Sequence, residues 1–504
     1  MLPQERRLRN MSQRETGKLT LISLILMIFT SVFGFANMPR GFYLMGYSAI
    51  PWYIIAAITY FIPFAFMIAE FGAAYKNEKG GIYSWMEKSV GPRYAFVGIF
   101  MWYASYVVWM VNVASTIWIP LSNAIFGKDT TGSWTPFGLS STQTLGILGV
   151  FWLLLVFFLI SRGLESIKKV TSIGGSAVAL LNIVLLIGGL VILALNKGQF
   201  AQPVVDFSNT FMVSPNAKYT GAIAVVSFLT FAIFAFGGTE VVGGLVDQTE
   251  NPVKTFPKGL LIAAGVISLG YVIGIFMIGI FTNWTSVLSG SGVNNGNVTY
   301  IIMQNLGYEL GHAFGASESV SLQIGAWVAR FVGLSMFLAL SGAFMTLSYS
   351  PLKQLIEGTP DRIWPKKLTQ LRNGLPVNAM RIQAIIAIVL ILLVSFGGES
   401  AAEFFDKLVL MTNVAMTIPY LFISYAYASF KRRDEIEKPF VIYKNKTVGI
   451  AFAYIVTAVV AFANIFTIIE PLTSGKPINT VWMMAGPLLF GIIAITLYNR
   501  AEKR

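Results

Sequence analysis

Apolar runs of about 20 residues recur from one end of this chain to the other, and a run of that length has few ways to fold. In lipid, a backbone satisfies its own N–H and C=O groups as a helix, since each finds its partner within the segment. Hydrophobic residues are 55% of the 504-residue chain and charged residues only 12%, against about 25% charged in a soluble domain. Mean hydropathy is +0.68. The expected fold class is all-α integral membrane, one polytopic domain without a separate soluble module.

Twelve spanning segments are expected. Segments 1 to 6 lie near 19–47, 50–75, 94–124, 143–161, 173–195 and 221–245. Segments 7 to 12 lie near 259–282, 321–349, 379–396, 404–429, 447–469 and 481–499. Residues 1–18 and 500–504 are expected to be short tails around a domain at 19–499. Most of the 36 Lys and Arg fall in the tails and in alternate loops. The opposite loops hold only Lys128, Lys197, Lys218, Lys407 and Lys476, while Arg40 and Arg330 fall within segments. By the positive-inside rule both termini are expected in the cytoplasm. The net charge of +13 then reflects loops facing anionic lipid rather than nucleic acid.

Several chemistries find no support. There is no cysteine, hence no disulfide or thiolate metal site. The one histidine, His312, is expected in an external loop as a solvated residue, without the partners of a zinc site. No Walker A loop, dinucleotide fingerprint or zinc-protease motif occurs, so no cofactor, metal or ATP hydrolysis is expected. No cleavable signal peptide is expected either. Asn283 and Asn297 begin formal glycosylation sequons on the external side, which matter only in a host that glycosylates.

Two segments are interrupted, and they hold corresponding places. Segment 1 carries Gly34-Phe35-Ala36-Asn37-Met38-Pro39, and segment 6 carries Phe234-Ala235-Phe236-Gly237-Gly238-Thr239-Glu240. Each opens a five-helix unit, at 19–195 and 221–429, with 447–499 supplying segments 11 and 12. A broken helix at membrane depth persists where it lines a polar cavity. Paired breaks in the two halves point to a substrate site at the midplane of a transporter. Pro39 suits the first turn of an outer half-helix, whose free N–H groups and positive dipole end favour a carboxylate. Carbonyls freed near Phe35 and before Gly237-Gly238 suit an ammonium group. Glycines there let the backbone unwind and a ligand approach. The competing reading is close helix packing through small residues; matched positions favour the site.

Buried charge needs a reason, since it costs roughly 2.5–3.5 kcal/mol at the bilayer centre on insertion scales. Glu240 is open to three roles: capping an inner half-helix, accepting from the segment 1 break, or exchanging a proton. Glu70 is expected to pair with loop cations. Arg40 would either bind a second substrate carboxylate bidentately or face the external vestibule. The vestibule reading is preferred, which suits a neutral or zwitterionic substrate. Arg330 reads as a vestibule or bracing residue.

Glu70, Glu78-Lys79-Gly80-Gly81-Ile82-Tyr83-Ser84-Trp85 and Gly91-Pro92-Arg93, with Phe236-Gly237-Gly238-Thr239-Glu240, Glu250-Asn251-Pro252 and Phe256-Pro257, carry a resemblance. Together they resemble the amino acid–polyamine–organocation (APC) superfamily, and within it the glutamate:GABA antiporter family. The resemblance covers essentially the whole chain. It implies a LeuT-like fold, two inverted five-helix repeats plus helices 11 and 12. It also implies that Gly34, Phe35, Ala36, Asn37 and Met38 form one substrate-binding break, and Ala235, Phe236, Gly237 and Gly238 the other. Phe234 matches the aromatic that closes over substrate, Trp109 falls where segment 3 faces the pocket, and Glu240 matches the helix 6 glutamate. Only a few residues follow segment 12, so the C-terminal plug of acid-resistance antiporters is not expected, which leaves acid gating and the glutamate/GABA pair open.

The expectation is a secondary transporter of an amino acid or derived amine, working by exchange or by proton symport. The partners are that small molecule, the lipid bilayer, protons if transport is coupled to them, and a second copy if the chain forms a homodimer. A channel would need repeated rings of carbonyls or charges, which are not found. A non-transporting receptor on the same scaffold is disfavoured by the two intact breaks.

Overall fold

A computed structural model describes residues 19–76, 81–161, 165–242, 246, 249–372, 375–398 and 400–503. The expected tail 1–18, the motif residues Glu78, Lys79 and Gly80, and Leu245 at the end of segment 6 lie outside the described residues. The chain is all-helical: among the described residues the β contacts are the isolated bridges Leu19–Thr249 and Arg372–Leu375. Among the described residues, ten helical runs are long and apolar enough to cross a membrane. Two shorter apolar helices, Leu21–Val32 and Ala222–Ala235, belong to the two interrupted segments.

Local chemistry sets the element ends. Thr20 caps segment 1 by accepting the Ser23 N–H on Oγ1 at 3.3 Å. The helix stops at Val32 and resumes as Asn37–Met45. A turn at Gly46, with φ +60°, then leads into segment 2. Segment 2 is α-helical over Ala49–Ala56 and Ile62–Ala74, with a widened π turn at Ala57–Phe61 between them. Pro63 follows after Ile62 and has no N–H to return to the preceding turn, a common origin of such a bulge.

Segment 6 is interrupted where expected. Its helix ends at Ala235, residues 236–240 form turns, and a helical turn begins again at Val241 and Val242, beyond which residues 243–245 lie outside the described residues. Gly238, at φ +111°, cannot continue a right-handed helix. One correction follows. His312 lies near the end of a helix, Val298–Ala313, rather than in a loop. The last helix runs Pro477–Glu502 and so extends into the expected tail 500–504.

Burial separates centre from rim. The apolar window of Pro92–Phe126 is 89% buried, that of Ala401–Arg432 72%, and that of Asn37–Ala74 67%. Those of Ile173–Leu195 and Pro477–Glu502 are only 28% and 22% buried. Segments 1, 2, 3 and 10 therefore form the centre, while segments 5 and 12 present Ile183, Leu190, Leu488 and Ile492 outward, as lipid-facing helices do.

At one end of the bundle a buried ion pair locks this centre. Lys431 Nζ lies 2.9 Å from Glu70 Oε2, with the side chains 4% and 0% exposed. Glu70 Oε1 accepts the Ile442 and Tyr443 N–H groups at 2.8 and 3.1 Å, and Lys431 donates to the Tyr443 carbonyl at 3.0 Å. So Glu70 pairs, as expected, with one of the cations that follow segment 10, which the structure places in the last turn of that helix, and the pair clamps the segment 10–11 connection beneath segment 2. In that connection the exposed Asp434 carboxyl is held below its usual range by bonding to Lys446, a surface pairing of the kind that contributes little. Breaking a buried pair on one side costs about 3–5 kcal/mol. Lys431→Met should therefore lower the thermal midpoint of the purified protein sharply, and adding Glu70→Gln should recover most of the loss. A single variant as stable as the parent would contradict this clamp.

Candidate functional site

The two breaks meet at one hydroxyl that the sequence reading did not single out. Tyr271, in the helix Pro252–Phe281 of segment 7, accepts the Gly34 N–H on Oη at 2.8 Å and the Asn37 Nδ2 at 3.4 Å. The same Oη lies 2.8 Å from the Ala235 carbonyl and 3.3 Å from the Val32 carbonyl. A phenol has one proton to give, and the shorter contact is to segment 6. Tyr271 thus joins the N–H freed in one break to the carbonyl freed in the other. Its ring is stacked on Phe33, centroids 4.5 Å apart, and meets Phe236 edge-on at 5.2 Å. Tyr53 adds a bond from its Oη to the Asn37 carbonyl at 3.0 Å.

Segment 2 reaches the break through its π turn, which brings Phe61 into a stack on Phe236 at 4.6 Å. Pro63 was the available sequence signal for this distortion. Segment 3 reaches it through Trp102, whose Nε1 donates to Glu240 Oε1 at 3.3 Å, and Tyr106 lies edge-on to Trp102 at 5.1 Å. Trp109, expected at the pocket, is two turns further along, and its ring instead meets Phe344 of segment 8 at 6.1 Å. Glu240 is 2% exposed, and its Oε2 accepts the Gly238 N–H at 3.2 Å. Of its three expected roles, the observed bonds brace the segment 6 break against segment 3. Among the described residues they do not reach segment 1.

The predicted break residues divide by accessibility. Phe35, Met38, Ala235, Phe236 and Gly238 are buried, whereas Gly34, Ala36, Asn37, Phe234 and Gly237 keep accessible surface. Met38 packs on segment 7, since a Cβ at Gly274 would strike its sulfur. A Cβ at Gly237 would strike the Tyr420 hydroxyl, and one at Gly238 would lie 2.8 Å from the Ser31 carbonyl oxygen. Gly238 is therefore needed where segment 6 crosses the end of the first half-helix, so close packing and the break occur at one residue. Asn37 N–H and Met38 N–H are bonded to Gly34 and Phe35 carbonyls at 2.9 and 3.3 Å. Among the described residues, the N–H groups of Phe35 and Ala36 and the carbonyls of Phe236 and Gly237 have no hydrogen-bond partner. The arrangement offers two donors and two acceptors around an aromatic cluster.

Beyond this core lies a polar chain. Arg40 Nε donates to the Asn295 carbonyl at 2.9 Å, Asn295 Nδ2 donates to Asp406 Oδ1 at 2.8 Å, and Lys218 Nζ bonds Asp406 Oδ2 at 2.9 Å. Arg40 makes no ion pair among the described residues. Arg330 instead caps the helix Trp118–Phe126 by donating to the Phe126 carbonyl at 3.3 Å and lies over Trp327, a bracing position. Asn297 of the second sequon is buried, with Nδ2 bonded to Asp129 and to the Gly292 carbonyl.

Comparison with known proteins agrees with this architecture. A family model described as "Amino acid permease" matches residues 19–490. The chain is 53% identical over 489 residues to "Inner membrane transporter YjeM" of Salmonella typhimurium, covering 97% of each chain. It is 52% identical over 484 residues to the protein of that name in Escherichia coli, covering 96% of each. More distantly, it is 25% identical over 429 residues to "Aspartate/glutamate permease AcaP" of Lactococcus lactis, covering 83% of this chain and 81% of that one. Interrupted apolar segments and similarity to named transporters over nearly the whole chain converge: the chain belongs to the amino acid permease family of multi-pass membrane transporters.

Proposed function

We propose that the two breaks bind the α-carboxylate and α-ammonium groups of an amino acid, or the ammonium of a derived amine. The chain then moves it across the cytoplasmic membrane by alternating access, as an exchanger. The observation that carries this reading is the pairing of unbonded Phe35 and Ala36 N–H groups with unbonded Phe236 and Gly237 carbonyls around Tyr271. A helix N-terminus stabilises a carboxylate through free N–H groups and its dipole. Freed carbonyls serve an ammonium in the same way. Phe234 sits on the accessible side of the segment 6 break and is the aromatic proposed to close over substrate. The LeuT-like arrangement of inverted repeats and cytoplasmic termini belong to the same proposal, supported by the paired breaks and the basic loops.

Proteoliposomes loaded with a panel of amino acids and their decarboxylation products test exchange directly. The expected result is saturable uptake of one panel member that needs substrate inside and no pH gradient. Uptake driven by a pH gradient into empty vesicles would favour proton symport. Gly238→Leu should abolish exchange while the protein still inserts, because a side chain there meets the Ser31 carbonyl and a backbone conformation suited to glycine. Gly265→Ala, where a Cβ meets nothing within 4 Å, serves as the control. Exchange by Gly238→Leu within about twofold of the parent would separate the break from the site.

Arg40 discriminates substrate charge. Its bond to the Asn295 carbonyl supports the vestibule position and a neutral or zwitterionic substrate. Arg40→Ser should then weaken all panel members together and modestly. Were Arg40 to hold a second carboxylate, the lost charge-assisted bond would cost roughly 1.5–3 kcal/mol, about ten- to hundredfold in affinity, for aspartate and glutamate alone. That selective loss would overturn the vestibule assignment.

A further inference from the structure

A separate cavity of about 90 Å³ lies toward the far end of segment 1, between Tyr43, the helix Ala222–Ala235, and segments 10 and 11. It shares two walls with the breaks. Ala224, Ser227 and Phe231 line it, and Phe234 continues that row at helical spacing. Asp406 and Asn413 line it, and Tyr420, the residue that packs on Gly237, follows seven positions later on the same helix.

The lining is rich in acceptors and short of positive charge. Asn295 and Asn413 line the cavity and are 4% and 3% exposed. Each has a carbonyl oxygen, Oδ1, with no hydrogen-bond partner. For Asn295 the amide orientation is fixed, because its Nδ2 must face the Asp406 carboxylate at 2.8 Å. Glu470 also lines the cavity, half-buried, and makes no ion pair among the described residues. Lys218, the one cation among the described lining residues, is committed to Asp406 at 2.9 Å. Two carboxylates therefore face one ammonium, and two buried acceptors lack donors. Aromatic rings at Tyr219, Phe228 and Phe231 complete the walls and favour an organic cation over water.

We propose that this cavity binds the primary ammonium group of an organic amine or amino acid, next to Phe234 and outside the breaks. Three ammonium donors match Glu470 and the two orphaned amide oxygens, and the added charge balances the second carboxylate. The site does not depend on the breaks holding substrate, so it stands or falls separately from the exchange reading.

Thermal denaturation of the purified full chain, titrated with putrescine at constant ionic strength, tests it. Putrescine should raise the midpoint saturably. Glu470→Gln should raise the half-saturating concentration about tenfold or more, the scale of one charge-assisted contact. Phe231→Trp, which fills the cavity and leaves its charges alone, should do the same. Gly238→Leu should keep the parental response. The absence of a putrescine shift in the parent, unchanged half-saturation in both Glu470→Gln and Phe231→Trp, or an equal response to sodium would overturn the site. Loss of the response in Gly238→Leu would place the amine in the breaks and overturn it as well.

Discussion

The hydroxyl of Tyr271 is the constraint on which the centre of this molecule turns. Two helices are interrupted where lipid offers no hydrogen bonds, and each interruption strands backbone groups. One phenol oxygen accepts from Gly34 and stands 2.8 Å from the Ala235 carbonyl, so one atom serves both breaks. A hydrogen bond contributes only about 0.5–1.5 kcal/mol net, but leaving a buried partner unmade costs about 1–3 kcal/mol. Loss of this hydroxyl would strand groups in two segments at once. The rings of Phe33, Phe236 and Tyr53 fix the phenol's position, which turns a single bond into a geometric reference for the site.

The restraints at the two ends of the bundle differ in kind. At one end, Glu70 and Lys431 are buried and share bonds with the backbone of the segment 10–11 connection. At the other end, Lys218 and Asp406 are 59% and 25% exposed, and exposed pairs contribute about 0–1 kcal/mol. Among the described residues, Arg40 joins that chain through the Asn295 carbonyl. The magnitudes make the Lys218–Asp406 end the easier one to part.

Hydropathy made the segments legible, since 20 apolar residues in lipid leave a helix as the available solution. Pro39 and Gly237-Gly238 made the breaks legible, because each residue limits helix continuation by its own chemistry. The partners of the breaks were not legible. Tyr271, Tyr53 and Trp102 are members of a chain with 20 Tyr, 11 Trp and 39 Phe, and nothing local separates a bonded hydroxyl from packing. Trp102 and Trp109 are seven residues apart, close to two full turns, so both fall on one helix face. Phase alone could not say which depth meets the break. At Gly238 the sequence permitted ligand approach or helix packing. The Ser31 carbonyl across from it shows that packing constrains the position whatever else occurs there.

Removing one oxygen tests the central claim most directly. Tyr271→Phe keeps the ring and its stacking on Phe33 while deleting the atom shared by the breaks. The measurement is exchange in proteoliposomes of the panel compound that the parent exchanges, alongside the thermal midpoint of the purified protein. The account predicts a folded variant whose half-saturating substrate concentration rises about tenfold or more, or whose exchange is lost, on the scale of stranded buried partners. A Tyr271→Phe variant that exchanges with parental affinity and rate would contradict it.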